Sequence, residues 1–448
     1  MDLHALRLQW DERLDADPSL DRSGCLALQD WQLQHGASFD GRPLCKVLRP
    51  AFITPTELEA VRDICRHTIG AIRKVRLWML SGRAWPEALE LSEGARELVR
   101  IDPGFERLGV TSRLDAFATP DAFSFVELNA EAPAGIAYHD VLVRMFEGLD
   151  AMTSLREHAD VRPLPVSGWL LSALLTTYNE WGRGAGKPRI AIVDWRDSPT
   201  VAEFRLLAER FGRAGYETVV ADPRDLEFRA GRLVAGSKRI DLVYRRVLVE
   251  DCLARPDEVR ALVDSVRERA VCMVNPFRAY LLHRKRLFAY LTDPATPVDF
   301  SAQERATVAA HVPWTRVVGD ARTTDPQGED VDLLGYVRSH RDQLVLKPDD
   351  DYGGHGVCLG WAASEADWDE AISRALAVPH VVQRRVPVAS GDFPLMDGSG
   401  GHQRFLVDRD PYVFRGVLGG FLTRLAAGEL ANVTAGGGMV PTFVVARR

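Results

Sequence analysis

No apolar run in this chain approaches the roughly 20 residues that a membrane-crossing helix needs; the longest lies around Trp169 to Leu175. The amino-terminal Met-Asp-Leu-His shows neither the basic nor the apolar region of an export signal, so a non-exported, cytoplasmic protein is expected. Cysteine is sparse and unpatterned. Cys25, Cys45, Cys65, Cys252, Cys272 and Cys358 form no Cys-x-x-Cys pair and no metal-type spacing, which predicts reduced, mostly packed thiols. Positive charge is not in excess: the net charge of −7 argues against nucleic acid as the main partner. Lysine is scarcer still. Only six of the 56 basic residues are lysine, so a lysine standing at a motif position is more informative than usual.

What is present is an ordinary globular composition, 46% apolar and 27% charged over 448 residues, enough for two or three domains each with its own core. No repeat or low-complexity tract appears, and Gly398–Gly401 and Gly436–Gly438 read as mobile loops. Residues 1–104 read as mostly helical, with apolar periodicity through Val61, Ile64, Ile69, Ile72 and Leu77. From Lys187 to Arg246 strand and helix alternate, which predicts an open parallel α/β sheet. Its first turn, Asp194-Trp-Arg-Asp-Ser-Pro-Thr, has no glycine, so a dinucleotide fingerprint is missing.

Two constellations carry chemistry. The first is Lys347-Pro-Asp-Asp-Asp-Tyr-Gly-Gly-His-Gly-Val357, which reads as a strand end, a glycine-rich loop and a second strand. Lys347 can reach phosphates as a point charge, and Gly353, Gly354 and Gly356 let backbone N–H groups approach phosphate oxygens. No Gly-Lys-Ser/Thr follows, so this is not a Walker A loop; a hairpin turn with a surface lysine would give the same pattern. Asp349, Asp350 and Asp351 repel one another unless a divalent cation lies between them, and Mg²⁺ is the natural occupant; solvated acidity at a turn is the plainer reading.

The second is Arg113-Leu-Asp115 followed by Glu127-Leu-Asn129, on two strands separated by the turn Thr119-Pro-Asp. Residues i and i+2 of a strand face one side, so the hairpin can present two carboxylates and an amide oxygen, all hard ligands for Mg²⁺, beside the fork of Arg113. A solvent-facing strand edge satisfies the same spacing.

The order Arg-x-Asp, Glu-x-Asn, Lys-Pro-x-x-Asp-x-Gly-Gly-x-Gly, an apolar pair with Gln383, then Arg424 and Asn432 before glycines resembles the circularly permuted ATP-grasp ligases, which include glutathionylspermidine synthetase and eukaryotic-type glutathione synthetase. The resemblance runs over roughly residues 105–448. It implies an α/β (α+β) protein with a helical region at 1–104, a metal-binding hairpin and adjoining core at 105–164, a Rossmann-like open-sheet substrate domain at 165–275, and a nucleotide-binding region at 276–448. It also implies ATP and Mg²⁺ as cofactors. Asp115, Glu127, Asn129 and Asp351 become metal ligands, and Lys285, Lys347, Gly353, Gly354, Gly356 and Gln383 become nucleotide contacts. Arg113 and Arg424 would hold the transferring phosphoryl group, and Asn432 with Gly436–Gly438 a closing loop.

The implied reaction joins a small-molecule carboxylate to an amine through an acyl phosphate, releasing ADP and phosphate. Two other readings stay open: a nucleotide-binding regulatory or scaffold protein without turnover, and a kinase acting on a small carboxylate. The loop departs from relatives in carrying Asp351 where they often have Glu, and His355 interrupts its glycines. No cysteine-peptidase signature is present, so amidase activity is not expected, and no residue singles out the acid or the amine. Arg245, Arg246 and Arg278 could bind an anion, but surface salt bridges are the expected role for so abundant a residue type.

Overall fold

The computed structural model describes residues 2–81, 89–107, 109–119, 122–184, 186–351, 354–428 and 438–448. Near the amino terminus, the Thr54 hydroxyl accepts from the Glu57 N–H while Glu57 returns a bond to the Thr54 N–H; this reciprocal cap starts the helix Pro55–Leu80. That helix buries Leu58, Val61, Cys65, Thr68, Ile72, Val75 and Met79 along one face. Helices Leu3–Asp15, Arg22–Gln34 and Glu93–Arg100 make the region largely helical, as its periodicity predicts. It is not a separate body. The strand Ala51–Ile53 pairs in parallel with Thr442–Arg447 near the other end of the chain, which pairs in turn with Ala159–Pro163.

A six-stranded antiparallel sheet forms the centre. Its order is Gly438–Val440, Val417–Ala426, His402–Phe414, Thr111–Ala118 and Phe123–Asn129, with Ala389–Pro394 pairing alongside the first half of the long strand. The hairpin of residues 111–129 is thus completed by strands almost 300 residues later. A four-stranded parallel sheet is ordered Cys272–Val274, Leu242–Arg245, Ile190–Val193 and Thr218–Ala221; three of its strands lie in the segment where strand and helix alternate, and Cys272–Val274 lies beyond it. Both belong to one large hydrophobic core.

A second core is built from Trp314, Leu333, Val337, Leu344, Leu346, Trp368, Ile372 and Val382. It lies under an antiparallel sheet ordered Thr315–Val317, His380–Arg384, Leu344–Pro348 and Cys358–Leu359, packed by the helix Glu365–Ala377. The glycine loop therefore joins two neighbouring antiparallel strands of this smaller sheet, with Val345 opposite Leu359.

A short hairpin pairs Arg322–Thr324 with Asp330–Asp332. Gly398 has a φ of +73°, and a Cβ there would stand 2.3 Å from the Arg22 backbone, so glycine is required at this close approach. One expectation changes. Arg245 and Arg246 are not on the surface but buried. Arg245 pairs with Glu131 at 2.8 Å and donates to the carbonyls of Asn275 and Val247, while Arg246 donates to Pro133 O at 2.6 Å. No helix among the described residues is long and apolar enough to cross a membrane, and five of the six cysteines are buried as free thiols.

Candidate active site

The central sheet sets the floor of the site. In the hairpin, Arg113 lies opposite Asn129 and Asp115 opposite Glu127, so side-chain alternation puts all four on one face. Asn275, fully buried, fixes the hairpin at its base: its Oδ1 accepts from the N–H groups of Val110 and Thr111, and its Nδ2 lies 2.7 Å from both Thr111 O and Ala130 O. Asp115 receives Arg113 Nε at 2.7 Å, Arg113 Nη2 at 3.1 Å and Asn129 Nδ2 at 2.8 Å. Arg424 Nη2 adds a further bond at 2.9 Å.

Arg424 comes from the strand Val417–Ala426 and stands directly opposite Asp408. Its Nε donates to Asp408 Oδ2 at 2.7 Å, and its Nη2 lies 3.0 Å from Asp410 Oδ2. Asp410 Oδ1 accepts from the Ala116 N–H at 2.8 Å, beside a bulge in the hairpin. Two arginines and three aspartates thus share one buried patch. Burial alone would raise the Asp115 pKa, yet Arg113 and Arg424 override it and hold the carboxyl well below the usual range. Asp408 has less compensation, and burial pushes it up to about 6 against Arg424. Asp410 is pushed well above its ordinary value for the same reason.

The facing wall comes from the smaller sheet. Lys347 Nζ donates to Gln383 Oε1 at 2.7 Å and reaches Val126 O of the hairpin at 3.3 Å, so it bridges the two lobes. Gln383 is anchored through Nε2 to Thr315 Oγ1 at 3.0 Å. Burial lowers the Lys347 pKa to about 8, with Glu127 opposing and Lys285 reinforcing the shift. Lys285, just before the helix Arg286–Thr292, donates from Nζ to Asp351 O at 2.5 Å and stands 3.7 Å from Glu127 Oε2. Gly356 has φ +67°, and a Cβ there would meet Pro348 at 2.7 Å, so glycine alone fits without displacement.

The three consecutive aspartates do not act together. Asp349 is buried and receives Arg286 N at 2.7 Å, Arg286 Nε at 2.6 Å and Arg284 Nη2 at 2.5 Å. Asp350 accepts from the Tyr280 hydroxyl. Only Asp351 lines the cavity. The expectation of a shared cation among the three is corrected: cationic and hydroxyl partners inside the protein relieve their repulsion.

Between the lobes lies a cavity of about 630 Å³ lined by Arg113, Asp115, Glu127, Asn129, Lys285, Lys347, Asp351, Gly354, Gln383 and Arg424. The metal, nucleotide and phosphoryl candidates within the described residues border it, except Asp349 and Asp350 of the acidic run and Gly356, which stands two residues beyond Gly354 in the loop. Gly353, Asn432, Gly436 and Gly437 lie outside the described residues, while Gly438 opens the strand Gly438–Val440.

The chain shares its fold with a glutathione synthetase-like effector. That structure, from Globodera pallida in its apo form, aligns over 96% of this chain and 98% of its own with a TM-score of 0.56 at 14% identity. Among curated sequences, a putative glutamate–cysteine ligase of Frankia casuarinae is 27% identical over 339 residues, 72% of this chain and 37% of the relative. An uncharacterised protein of Synechocystis is 27% identical over 270 residues, 54% of this chain and 50% of the relative. The aligned part of the chain thus spans half or less of these two relatives. No family model matches.

Sequence reasoning missed Asp408 and Asp410, although their Asp-x-Asp spacing on one strand is the same signal that exposed the hairpin. It also missed the segment Arg384–Val388, and Phe39 and Leu44 from the amino-terminal region, which reach the cavity through tertiary contact alone.

Among the described residues no three His, Cys, Asp or Glu groups stand together as a cage. Mg²⁺ rarely asks for one, because it keeps waters and binds through one or two carboxylates with substrate phosphates. Asp115 is saturated by arginine and Asn129 bonds, whereas the Glu127 side chain is 28% exposed and Asn129, with Nδ2 engaged, retains its carbonyl oxygen. Glu127 and Asn129 fit such an ion; Asp115 fits as the group that orients Asn129 through its Nδ2.

Proposed function

We propose that this chain is an ATP- and Mg²⁺-dependent ligase that joins a carboxylate to an amine, on a circularly permuted ATP-grasp scaffold. One observation carries the reading: a single cavity between two lobes gathers Lys285, Lys347, Arg113, Arg424 and the oxygen donors Glu127 and Asn129. The Frankia relative's name, a putative glutamate–cysteine ligase, supports the same reaction class. With Mg²⁺ bound, ATP would supply its γ-phosphoryl group: a carboxylate oxygen takes it as ADP leaves, and an amine then displaces phosphate from the acyl phosphate, losing a proton, to give an amide.

The chain's own residues then divide the work. Lys347 and Lys285 neutralise phosphate oxygens, and the segment Arg384–Val388 borders the nucleotide end of the cavity. Glu127 and Asn129 hold the ion. Arg113 and Arg424 offer guanidinium N–H groups to charge developing on the transferred phosphoryl and on the tetrahedral oxyanion. Because Asp115 and Asp408 already orient both forks, little reorganisation is needed when that charge appears. Asp351 sits beside Lys285 at the mouth of the loop.

The test is ADP release by the purified chain with Mg²⁺–ATP and a broad panel of acids and amines, alongside calorimetric nucleotide binding. Amide product with stoichiometric ADP supports the reading. Absence of both binding and ADP overturns it. Tight binding without turnover would instead indicate a regulatory protein, and hydroxylamine-trapped acyl phosphate without any amide would indicate a carboxylate kinase.

A further inference from the structure

A second cavity, of about 300 Å³, lies behind the site hairpin. Ser112 and Leu128 line it, each next in sequence to a residue of the first cavity, and alternate strand residues face opposite sides of the sheet. Its floor is apolar, made by Ile69, Ile72, Phe105, Leu128 and Leu282, whereas Arg73, Arg76 and Arg107 stand around it. Ile69, Ile72, Arg73 and Arg76 are spaced as one stripe of the helix Pro55–Leu80, which aims two apolar groups and two cations at the same space.

These cations are poorly compensated. Arg76 is only 5% exposed, and its Nε makes no hydrogen bond among the described residues. Its Nη1 donates to Glu106 O at 2.5 Å and its Nη2 is 3.5 Å from Glu106 Oε1, an oxygen that also accepts from Arg73 at 2.8 Å. Arg107 donates to Arg415 O, and among the described residues it forms no ion pair. Glu180 also borders the cavity but is paired with Arg415. Arg73 and Arg76 therefore share the one carboxylate of Glu106, whose side chain is 70% exposed and so able to swing away, and Arg107 adds a third guanidinium with no ion pair among the described residues. Burial and the neighbouring arginines both lower the Arg76 pKa, against Glu106.

We propose that this pocket binds a small anion, carboxylate or phosphate, carried on an apolar body. An arginine fork matches either head group bidentately, and a buried guanidinium with an unpaired N–H gains from such a partner. The apolar floor receives the rest of the molecule, and the volume is at the lower end for small-molecule sites. None of the pocket's polar side chains serves the ligase reading, so the proposal stands apart from it.

The experiment is calorimetry on the full chain with hexanoate and phenyl phosphate, with acetate and hexanol testing head and body separately. Binding of either anionic probe, with acetate and hexanol each about tenfold weaker or more, is expected. Arg73→Gln and Arg107→Gln, both at exposed side chains, should weaken the probe about tenfold, and Glu106→Gln should tighten it by removing the competing carboxylate. Lys347→Ala, in the first cavity, should leave probe affinity unchanged. A preference for hexanoate or for phenyl phosphate assigns the head group. The proposal falls if neither probe binds, if both arginine variants bind like the parent, or if Lys347→Ala abolishes binding and so places the probe in the first cavity.

Discussion

Arg424 and Asp115 are 309 residues apart in sequence and 2.9 Å apart in space. The bond joins the last long strand of the central sheet to its first hairpin, inside a patch where Asp408, Asp410 and Arg113 are also buried. Chain closure and site construction are therefore the same event.

Replacing Arg424 by Met removes the cation that three buried aspartates share. The cost of leaving buried charge unpaired is about 3–5 kcal/mol, read as a drop in urea-unfolding free energy. A loss below about 1 kcal/mol would mean that the patch is solvated and contributes little.

Lys347 should reveal itself by proton uptake. Its pKa near 8 in the folded chain lies below its ordinary value of 10.5, so at pH 8 about half the molecules carry it neutral. Phosphates restore the charge. Nucleotide binding at pH 8 should therefore take up about half a proton, seen as a dependence of binding heat on buffer ionisation, and affinity should fall as pH rises through 8. Lys347→Met should abolish the uptake.

Glu127→Gln removes the carboxylate best placed for Mg²⁺ without disturbing packing, because the side chain is part-exposed and makes only long contacts. Midpoint unfolding temperature should be nearly unchanged. The Mg²⁺ concentration needed for half-maximal nucleotide affinity should rise by about tenfold or more; an unchanged requirement would take Glu127 out of the metal site.

Asp349 and Asp351 should separate cleanly. Asp349→Ala strips a buried carboxylate from Arg284 and Arg286, the latter keeping its pair with Glu90 at 2.7 Å, and should destabilise the fold by about 3–5 kcal/mol in denaturant titration. Asp351→Ala should cost less than about 1 kcal/mol while changing nucleotide or metal affinity. Equal stability losses would contradict the division of the acidic triplet.

Local pattern carried a good deal of this. The Arg113, Asp115, Glu127 and Asn129 set was legible because a strand's two-residue period places i and i+2 on one face wherever the sheet lies. Lys347 was legible as a lysine ending an apolar strand before glycines. The three strands of the parallel sheet between Lys187 and Arg246 likewise followed from short-range alternation.

What local pattern cannot encode is which face meets which. Asp349 and Asp351 are two residues apart on the same acidic run, and only packing against Arg284 and Arg286 turns one into a buried anchor and leaves the other at the cavity. Asp408 and Asp410 gained their meaning from pairing with Arg424 and Ala116, and Arg76 gained its from the cavity its helix closes. Residue type and periodicity were set by the sequence alone; partnership, burial and hence charge state were decided by long-range strand pairing, because the electrostatics of a carboxylate or guanidinium depend on neighbours that the fold supplies.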